Sequence, residues 1–364
     1  MNSNINNLLI AGILLFMLAG GCSKDETPDP EPPENEKTFI SSVDISRYPE
    51  IMLSDPVFYD QNNREKDMLT ILKESGVNTI RLKLWIDPAD GHAGFAEVKQ
   101  FSQTLHSKGF KTWLTVHYSD TWADPGKQET PARWQNLDYP NLMDSMSAYT
   151  TKVVEEMSPD FIQIGNEINS GFMHPIGNSN NFDQFKALLD AGIEAVRNTN
   201  STTKIMLHYA GFNGASLFYN KLKDLDFDII GLSYYPWWHG KDISKLESTM
   251  KQLSTSYDKD IIVAETSYPF TFEWNDWTNN IIGTEDQLIL PDYPATSIGQ
   301  QEFIRAIRTI SWENVEHGLG FSYWGGEQIA WKGPEGTDAS PWENLALFDF
   351  NNKALPVLNE FDSE

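Results

Sequence analysis

The sequence predicts a (β/α)8 barrel, a single α/β domain with long loops after its strands. Three observations lead there. Short β-rich runs alternate with amphipathic helical stretches from Phe39 onward. Eight such runs can be counted, and eight parallel strands separated by helices close into a barrel. Polar and aromatic residues gather just after the runs, where such a barrel carries its reactive groups. An open doubly wound sheet is the competitor. It normally brings a glycine-rich phosphate turn after its first strand, and Asp44-Ile45-Ser46-Arg47 is not one. The chain has 364 residues. One barrel of about 250 residues with loop insertions accounts for that length.

The N-terminus comes first. The apolar run Leu8–Ala19 is too short to span a bilayer and has the length of a signal-peptide core. It leads through Gly20 and Gly21 to Cys22, the single cysteine of the chain, so no internal disulfide is available. Leu18-Ala19-Gly20-Gly21-Cys22 resembles a bacterial lipobox, although the region before it has no Lys or Arg. We therefore expect a lipoprotein signal peptide over 1–21 with Cys22 as the lipid anchor. Residues 22–37 are dominated by Pro, Asp and Glu, the composition of a solvated tether without a fold. Ser23-Lys24-Asp25-Glu26 resembles the surface-export signal of some Gram-negative lipoproteins; an ordinary acidic linker is the alternative. On the export reading, the protein is an outer-membrane lipoprotein at the cell surface. The barrel occupies 38–364.

Predicted strands are Phe39–Val43, Asn78–Leu84, Lys111–His117, Phe161–Gly165, Lys204–His208, Ile229–Ser233, Ile261–Ala264 and Gly320–Trp324. They are short runs rich in β-branched, aromatic and other apolar residues. Between them, Arg64–Ser75, Phe95–Lys108, Asn141–Met157, Phe182–Asn198, Ile243–Tyr257 and Gln300–His317 repeat apolar residues at helical spacing. The strand ends can then be read for chemistry. In order they offer Asp44 and Ser46; Arg81, Lys83 and Trp85; His117 with Trp122 and Asp124; Asn166 and Glu167; His208; Tyr234 through His239; Glu265; and Trp324.

Charge narrows the function. The formal net charge is −25, from 52 acidic against 27 basic residues. A nucleic-acid binder needs a basic footprint, and none is present. A neutral or cationic ligand is easier to accept than a polyanion. The 12 Trp and 13 Tyr residues supply flat apolar faces that suit sugar rings. Glu167 and Glu265, ending the fourth and seventh predicted strands, point into one pocket from opposite sides. That is the layout of a retaining glycosidase, in which one carboxyl protonates the leaving oxygen and the other attacks the anomeric carbon, at a separation of about 5–5.5 Å. The seven His residues show no HxH or HExxH spacing, so His117 and His208 read as polar lining of a sugar site and no metal is predicted.

Gly165-Asn166-Glu167 and Ala264-Glu265-Thr266 resemble the acid/base and nucleophile motifs of clan A glycoside hydrolases. Arg81-Leu82-Lys83-Leu84-Trp85, the segment His117–Gln128, Gly231–Gly240, Thr266-Ser267-Tyr268-Pro269 and Trp342–Asp349 narrow the resemblance to glycoside hydrolase family 53, from about Phe39 to Phe361. The resemblance implies a retaining endo-β-1,4-galactanase acting on galactan or type I arabinogalactan, with Glu167 as acid/base and Glu265 as nucleophile. It implies that Asn166 donates to the sugar 2-hydroxyl, that Arg81 holds the nucleophile ionised, and that a tyrosine of the sixth strand donates to Glu265. Tyr234 is the first choice and Tyr235 the second; strand alternation lets only one of them face the pocket. His117 is a further supporting residue. Asp44, Trp85, Trp122, Asp124, His208, Trp237, Trp238, His239, Trp324 and Trp331 are the expected substrate contacts. Bacterial members of that family can carry calcium in the loop after the seventh strand. Here Phe270–Ser297 offers Glu273, Asn275, Asp276, Glu285, Asp286 and Asp292, but no clean DxDxxN run, so calcium is possible and not favoured. The partner is the polysaccharide, with the membrane reached through the lipid alone, and a monomer is expected. The alternatives are another clan A endo-glycanase, acting on mannan, xylan or glucan, and a non-catalytic surface glycan-binding lipoprotein.

Overall fold

The computed structural model describes residues 37–363. Cys22, the signal peptide and nearly all of the tether lie outside the described residues. Eight parallel strands close in sequence order: β1 (Ile40–Asp44), β2 (Thr79–Leu84), β3 (Lys111–Val116), β4 (Phe161–Ile164), β5 (Lys204–Ala210), β6 (Ile229–Ser233), β7 (Asp260–Thr266) and β8 (Gly318–Trp324). β8 pairs back onto β1, with Ile40 opposite Gly320 and Asp44 opposite Trp324. The fold is the predicted (β/α)8 barrel, with strand limits moved by a residue or two.

Around it lie α1 (Tyr48–Ile51), α2 (Met68–Glu74), α3 (Phe95–Ser107), α4 (Tyr139–Met157), α5 (Phe182–Thr199), α6 (Ala215–Leu222), α7 (Pro236–His239), α8 (Ile243–Tyr257) and α9 (Ser297–Arg308). Several helices start where a side chain caps a free backbone N–H. Asp67, Asp138, Asp242 and Thr296 do this for α2, α4, α8 and α9. In α4 the buried face runs through Leu142, Met146, Tyr149, Val153 and Met157, the three-to-four spacing that turns one stripe toward the barrel. The last predicted helix starts earlier than expected, at its Thr296 cap. It then loosens into a π-turn over Thr309–Asn314. The short α1, α6 and α7 were not predicted, being too brief to show a period.

Inside the barrel, Ile40, Trp113, Phe161, Met206, Ile229, Ile262, Ala264 and Leu319 form an apolar plug. Polar residues lie above it on the same inward-facing rows. Ser42 and Asp44 follow Ile40, Thr115 follows Trp113, Gln163 follows Phe161, and His208 follows Met206, all buried. The plug thus supports a polar floor at the C-terminal mouth.

Two irregularities aim the carboxyls. β7 holds a bulge against β6: Leu232 pairs with Val263, but Ser233 pairs with Glu265. Ile262 and Ala264 already face the interior, so strict alternation would send Glu265 outward. The extra residue resets the phase and turns its side chain to the mouth. After β4 the chain takes left-handed backbone at Gly165 (φ 78°) and again at Glu167 (φ 47°). A Cβ on Gly165 would stand 2.5 Å from Ile168 Cγ2, so glycine is required there. Glu265 lies within β7 rather than past its end, and Glu167 three residues beyond β4.

Candidate active site

A cleft of about 720 Å³ opens at the C-terminal mouth, and Glu167 and Glu265 both line it. Arg81 rises from β2 and is almost wholly buried, with its guanidinium 5.5 Å above the Trp113 ring of the plug. It donates to Asp44 Oδ2 at 2.6 Å, to Glu265 Oε1 at 2.6 Å and to Asn166 Oδ1 at 3.0 Å. One cation therefore ties three strands together. Glu265 Oε2 accepts from the Tyr235 hydroxyl at 3.1 Å. Burial raises the Glu265 pKa, while Arg81 and the Tyr235 hydrogen bond pull it back down.

Glu167 has poorer company. Its Oε1 accepts from Ser233 Oγ at 2.5 Å. Burial pushes its pKa up to about 8, the neighbouring Glu265 adds to the rise, and Ser233 opposes it. Two close carboxyls in a dry site cannot both ionise cheaply. The one without the guanidinium keeps the proton, so near neutral pH Glu167 is the acid and Glu265 the carboxylate.

A relay fixes Glu167. Burial, with Arg81 nearby, holds His208 far below its usual pKa, so the ring is neutral. Its Nε2 lies 2.8 Å from Ser233 Oγ and its Nδ1 2.8 Å from Gln163 Nε2. Gln163 can only donate through that nitrogen, so Nδ1 accepts and Nε2 carries the hydrogen. The chain runs from Gln163 to His208 to Ser233 to Glu167. Gln163 and Arg81 both occupy Asn166 Oδ1, which turns Asn166 Nδ2 toward the Ala123 carbonyl at 2.8 Å and the cleft. Gln128 holds the Asn166 carbonyl at 2.8 Å.

The expected contacts separate into groups. Trp122, Asp124, Trp237, Trp238, His239 and Trp324 line the cleft. Trp122 meets Trp324 at 6.1 Å, Trp324 meets Trp342 at 5.4 Å and Trp342 meets Trp238 at 6.0 Å, a row of indoles along one wall. Trp238 is 60% exposed, more than a ring with only a packing role should be. His239 Nδ1 accepts from the Tyr235 amide at 3.0 Å and so braces that residue.

Four expected contacts are not in the cleft wall. Asp44 is occupied by Arg81 and Ser46. His208 belongs to the relay beneath Glu167. Trp331 lies against Arg47, 4.5 Å from its guanidinium. Trp85 faces a separate, smaller chamber. His117 is likewise buried; its Nδ1 faces the Ala123 amide at 3.2 Å and the Trp85 indole at 3.3 Å, and burial with the charges of Arg81 and Lys83 keeps it neutral. It shapes the loop after β3 rather than the cleft surface.

The first choice of tyrosine is corrected. Tyr234 points away from the mouth, packs on Phe303 and donates to the Gly240 carbonyl at 3.0 Å. Ser233 faces the mouth, so alternation sends Tyr234 outward and Tyr235 inward. The sequence reading also passed over Trp342, Gln328 and Asn169, all in the cleft wall. Trp342 opens the Trp342–Asp349 motif but lies far from any strand end, and nothing local marks it as a wall residue.

The loop after β7 meets the segment after β8 at Glu343, whose Oε1 accepts from the Asn275 amide at 2.7 Å. Asp276, Asn280 and Glu343 are buried, and Asp276 Oδ2, Asn280 Oδ1 and Glu343 Oε2 find no protein donor. Burial and Asp276 raise the Glu343 pKa. Acceptor oxygens without donors are a set that a hard cation would satisfy.

Residues 40–361 match the sequence profile of glycosyl hydrolase family 53. The chain is 30% identical to the endo-β-1,4-galactanase of Bacillus subtilis (strain 168) over 380 residues, covering 89% of this chain and 86% of that protein. It is 30% identical to the arabinogalactan endo-β-1,4-galactanase A of Aspergillus niger over 324 residues, covering 84% and 89%. Among solved structures, the family 53 catalytic domain of Ignisphaera aggregans superposes with a TM-score of 0.84 at 40% identity, covering 89% of this chain and 95% of that one.

Proposed function

The chain belongs to glycosyl hydrolase family 53, and on that premise we propose that it is an endo-β-1,4-galactanase that hydrolyses galactan with retention, Glu265 being the nucleophile and Glu167 the acid/base. The observation that carries the division of roles is the unequal treatment of the two carboxyls. Glu265 has a buried guanidinium and a phenol, whereas Glu167 has one serine hydroxyl and a pKa of about 8.

The steps follow from that asymmetry. A Glu265 oxygen attacks the anomeric carbon as the glycosidic bond breaks, and the departing oxygen takes the Glu167 proton. A covalent glycosyl ester remains on Glu265, and Glu167 is now a carboxylate. Water enters, Glu167 takes its proton, and the hydroxyl displaces Glu265 from the opposite face. Two inversions give net retention. Asn166 Nδ2, turned outward by the grip on its oxygen, donates to the sugar 2-hydroxyl as positive charge grows on the ring. Arg81 and Tyr235 hold Glu265 as the carboxylate that must attack. The row of indoles supports the backbone rings.

Azide separates the roles. Added to Glu167→Ala, it should give a β-glycosyl azide from an aryl galactobioside, because it attacks the ester without needing a base. Added to Glu265→Ala, it should give the α-azide. The same anomer from both variants would overturn the assignment. Reducing ends released from galactan, with mannan and xylan alongside, test the substrate.

Two further readings belong here. The lipobox motif supports secretion with Cys22 acylated, and Ser23-Lys24-Asp25-Glu26 supports a surface location; Cys22→Ala should then leave the membrane fraction while staying active. The loop sequence does not favour calcium; an ion held by Asp276, Asn280 and Glu343 would pin the loop after β7 to the segment after β8 and supply no chemistry to the carboxyls.

A further inference from the structure

Beside the cleft a chamber of about 170 Å³ is set among the loops that follow β1, β2 and β3. It shares Arg47 and Trp122 with the cleft, so the two spaces are neighbours across one indole. Lys83 of β2 is 5% exposed and lines the chamber. Its ammonium stands 4.6 Å from the Trp85 ring centroid and 4.2 Å from that of Trp122. Among the described residues, no oxygen accepts a hydrogen bond from it.

The neighbouring charges are already committed. Glu50 accepts from Arg47 at 2.9 Å, Glu97 meets His92 at 2.8 Å and the Ala93 amide at 2.7 Å, and Asp90 accepts from the His92 amide at 3.0 Å. Three N–H donors are thus held between two indoles without an acceptor, an arrangement costly to keep dry. Burial lowers the Lys83 pKa to about 8, which agrees with a cation short of partners.

We propose that this chamber receives a single neutral sugar branch carried on the galactan backbone, with a branch hydroxyl accepting from Lys83 Nζ. The inference rests on the galactanase reading of the cleft. Flat indoles, a free donor and carboxylates at the rim are the composition of a sugar site. Arg47 and Lys83 set against Glu50, Asp90 and Glu97 leave the lining close to charge balance, which favours a neutral substituent over an ionic one. The bond being cut cannot lie here, because neither Glu167 nor Glu265 lines the chamber. The volume suits one ring and not a chain. A backbone bearing arabinose, as in arabinogalactan, meets this description.

The test uses two galacto-oligosaccharides of equal length, one linear and one carrying a single arabinofuranosyl branch. Lys83→Met removes the donor at nearly constant volume. Asp90→Tyr places a ring at the exposed rim and closes the mouth without touching the core. In both variants the ratio of kcat/KM for branched over linear substrate should fall about tenfold or more relative to the wild type, the range for a lost directed hydrogen bond or a blocked pocket. A ratio unchanged in Asp90→Tyr, in an enzyme that cuts the linear substrate, overturns the chamber and leaves the galactanase reading intact. A preference for a uronic acid branch over arabinose overturns the neutral class. Failure of the wild type to cut either oligosaccharide removes the galactanase reading, and the branch site with it.

Discussion

Ser233 shows how one hydroxyl sets a pH dependence. Its bond to Glu167 favours the charged form and so opposes the rise caused by burial. Ser233→Ala should therefore move the alkaline limb of kcat/KM, expected near pH 8 in the wild type, to higher pH. A limb that stays put or moves down would separate Glu167 from that limb. The same shift appears in stability. A carboxyl whose pKa rises on folding, from 4.5 to about 8, favours the folded state at low pH and loses that contribution as pH climbs through 8. Glu167→Gln never ionises, so its melting temperature should gain on the wild type between about pH 5 and pH 9, as thermal melts across that range would reveal. The two tyrosines give a contrast. Tyr235→Phe should lower kcat about tenfold with little change in melting temperature, since it removes a hydrogen bond to a charged group. Tyr234→Phe should leave kcat alone, because its hydroxyl serves only the Gly240 carbonyl.

Elements place these residues through departures from regularity. The bulge in β7 and the left-handed turn after β4 both break strand geometry where a carboxyl must turn inward. Gly165→Ala adds a Cβ against Ile168 and strains a positive φ, at a cost of about 1–3 kcal/mol. It should reduce both denaturation midpoint and turnover, because Glu167 moves with the turn. The loop after β7 offers a different test. If Asp276, Asn280 and Glu343 hold calcium, a chelator should lower the melting temperature and added calcium should restore it, while Asp276→Asn should respond to neither. A melting curve indifferent to chelator in the wild type would show that the buried acid keeps a proton instead.

Over the whole molecule the cleft is asymmetric, with charge on its floor and indoles along a wall built by loops far apart in sequence. Trp122 comes from the loop after β3, Trp324 from the end of β8, Trp342 from the segment beyond it, and Trp238 from α7 after β6. Truncating Trp238 or Trp342 to Ala should weaken oligosaccharide binding by about 1–3 kcal/mol without unfolding the barrel, because rings at the mouth support little of the core. Titration calorimetry on a catalytically silent Glu265→Gln background measures this. Normal binding in both variants would assign the rings to packing.

The sequence by itself determined the barrel, since eight β-rich runs and their intervening helical stripes are local patterns that burial must satisfy. It also determined which residues stand at the mouth. Arg81 and Glu265 lie within strands and Asn166 and Glu167 just beyond one, so the order of strands around the barrel brings them to one mouth. What it could not decide is which neighbour of a pair faces inward, because a single bulge or one counting error inverts the answer. Tyr235 over Tyr234 was settled by the phase of Ser233. Nor could it tell a wall residue from a supporting one. Asp44 and His208 sit on inward rows as the pattern requires, but Arg81 and Ser233 occupy them, and that engagement exists only once distant strands meet. Trp342 joins the wall from a segment beyond the last strand for the same reason: its place depends on how the closed barrel folds its tail over the mouth.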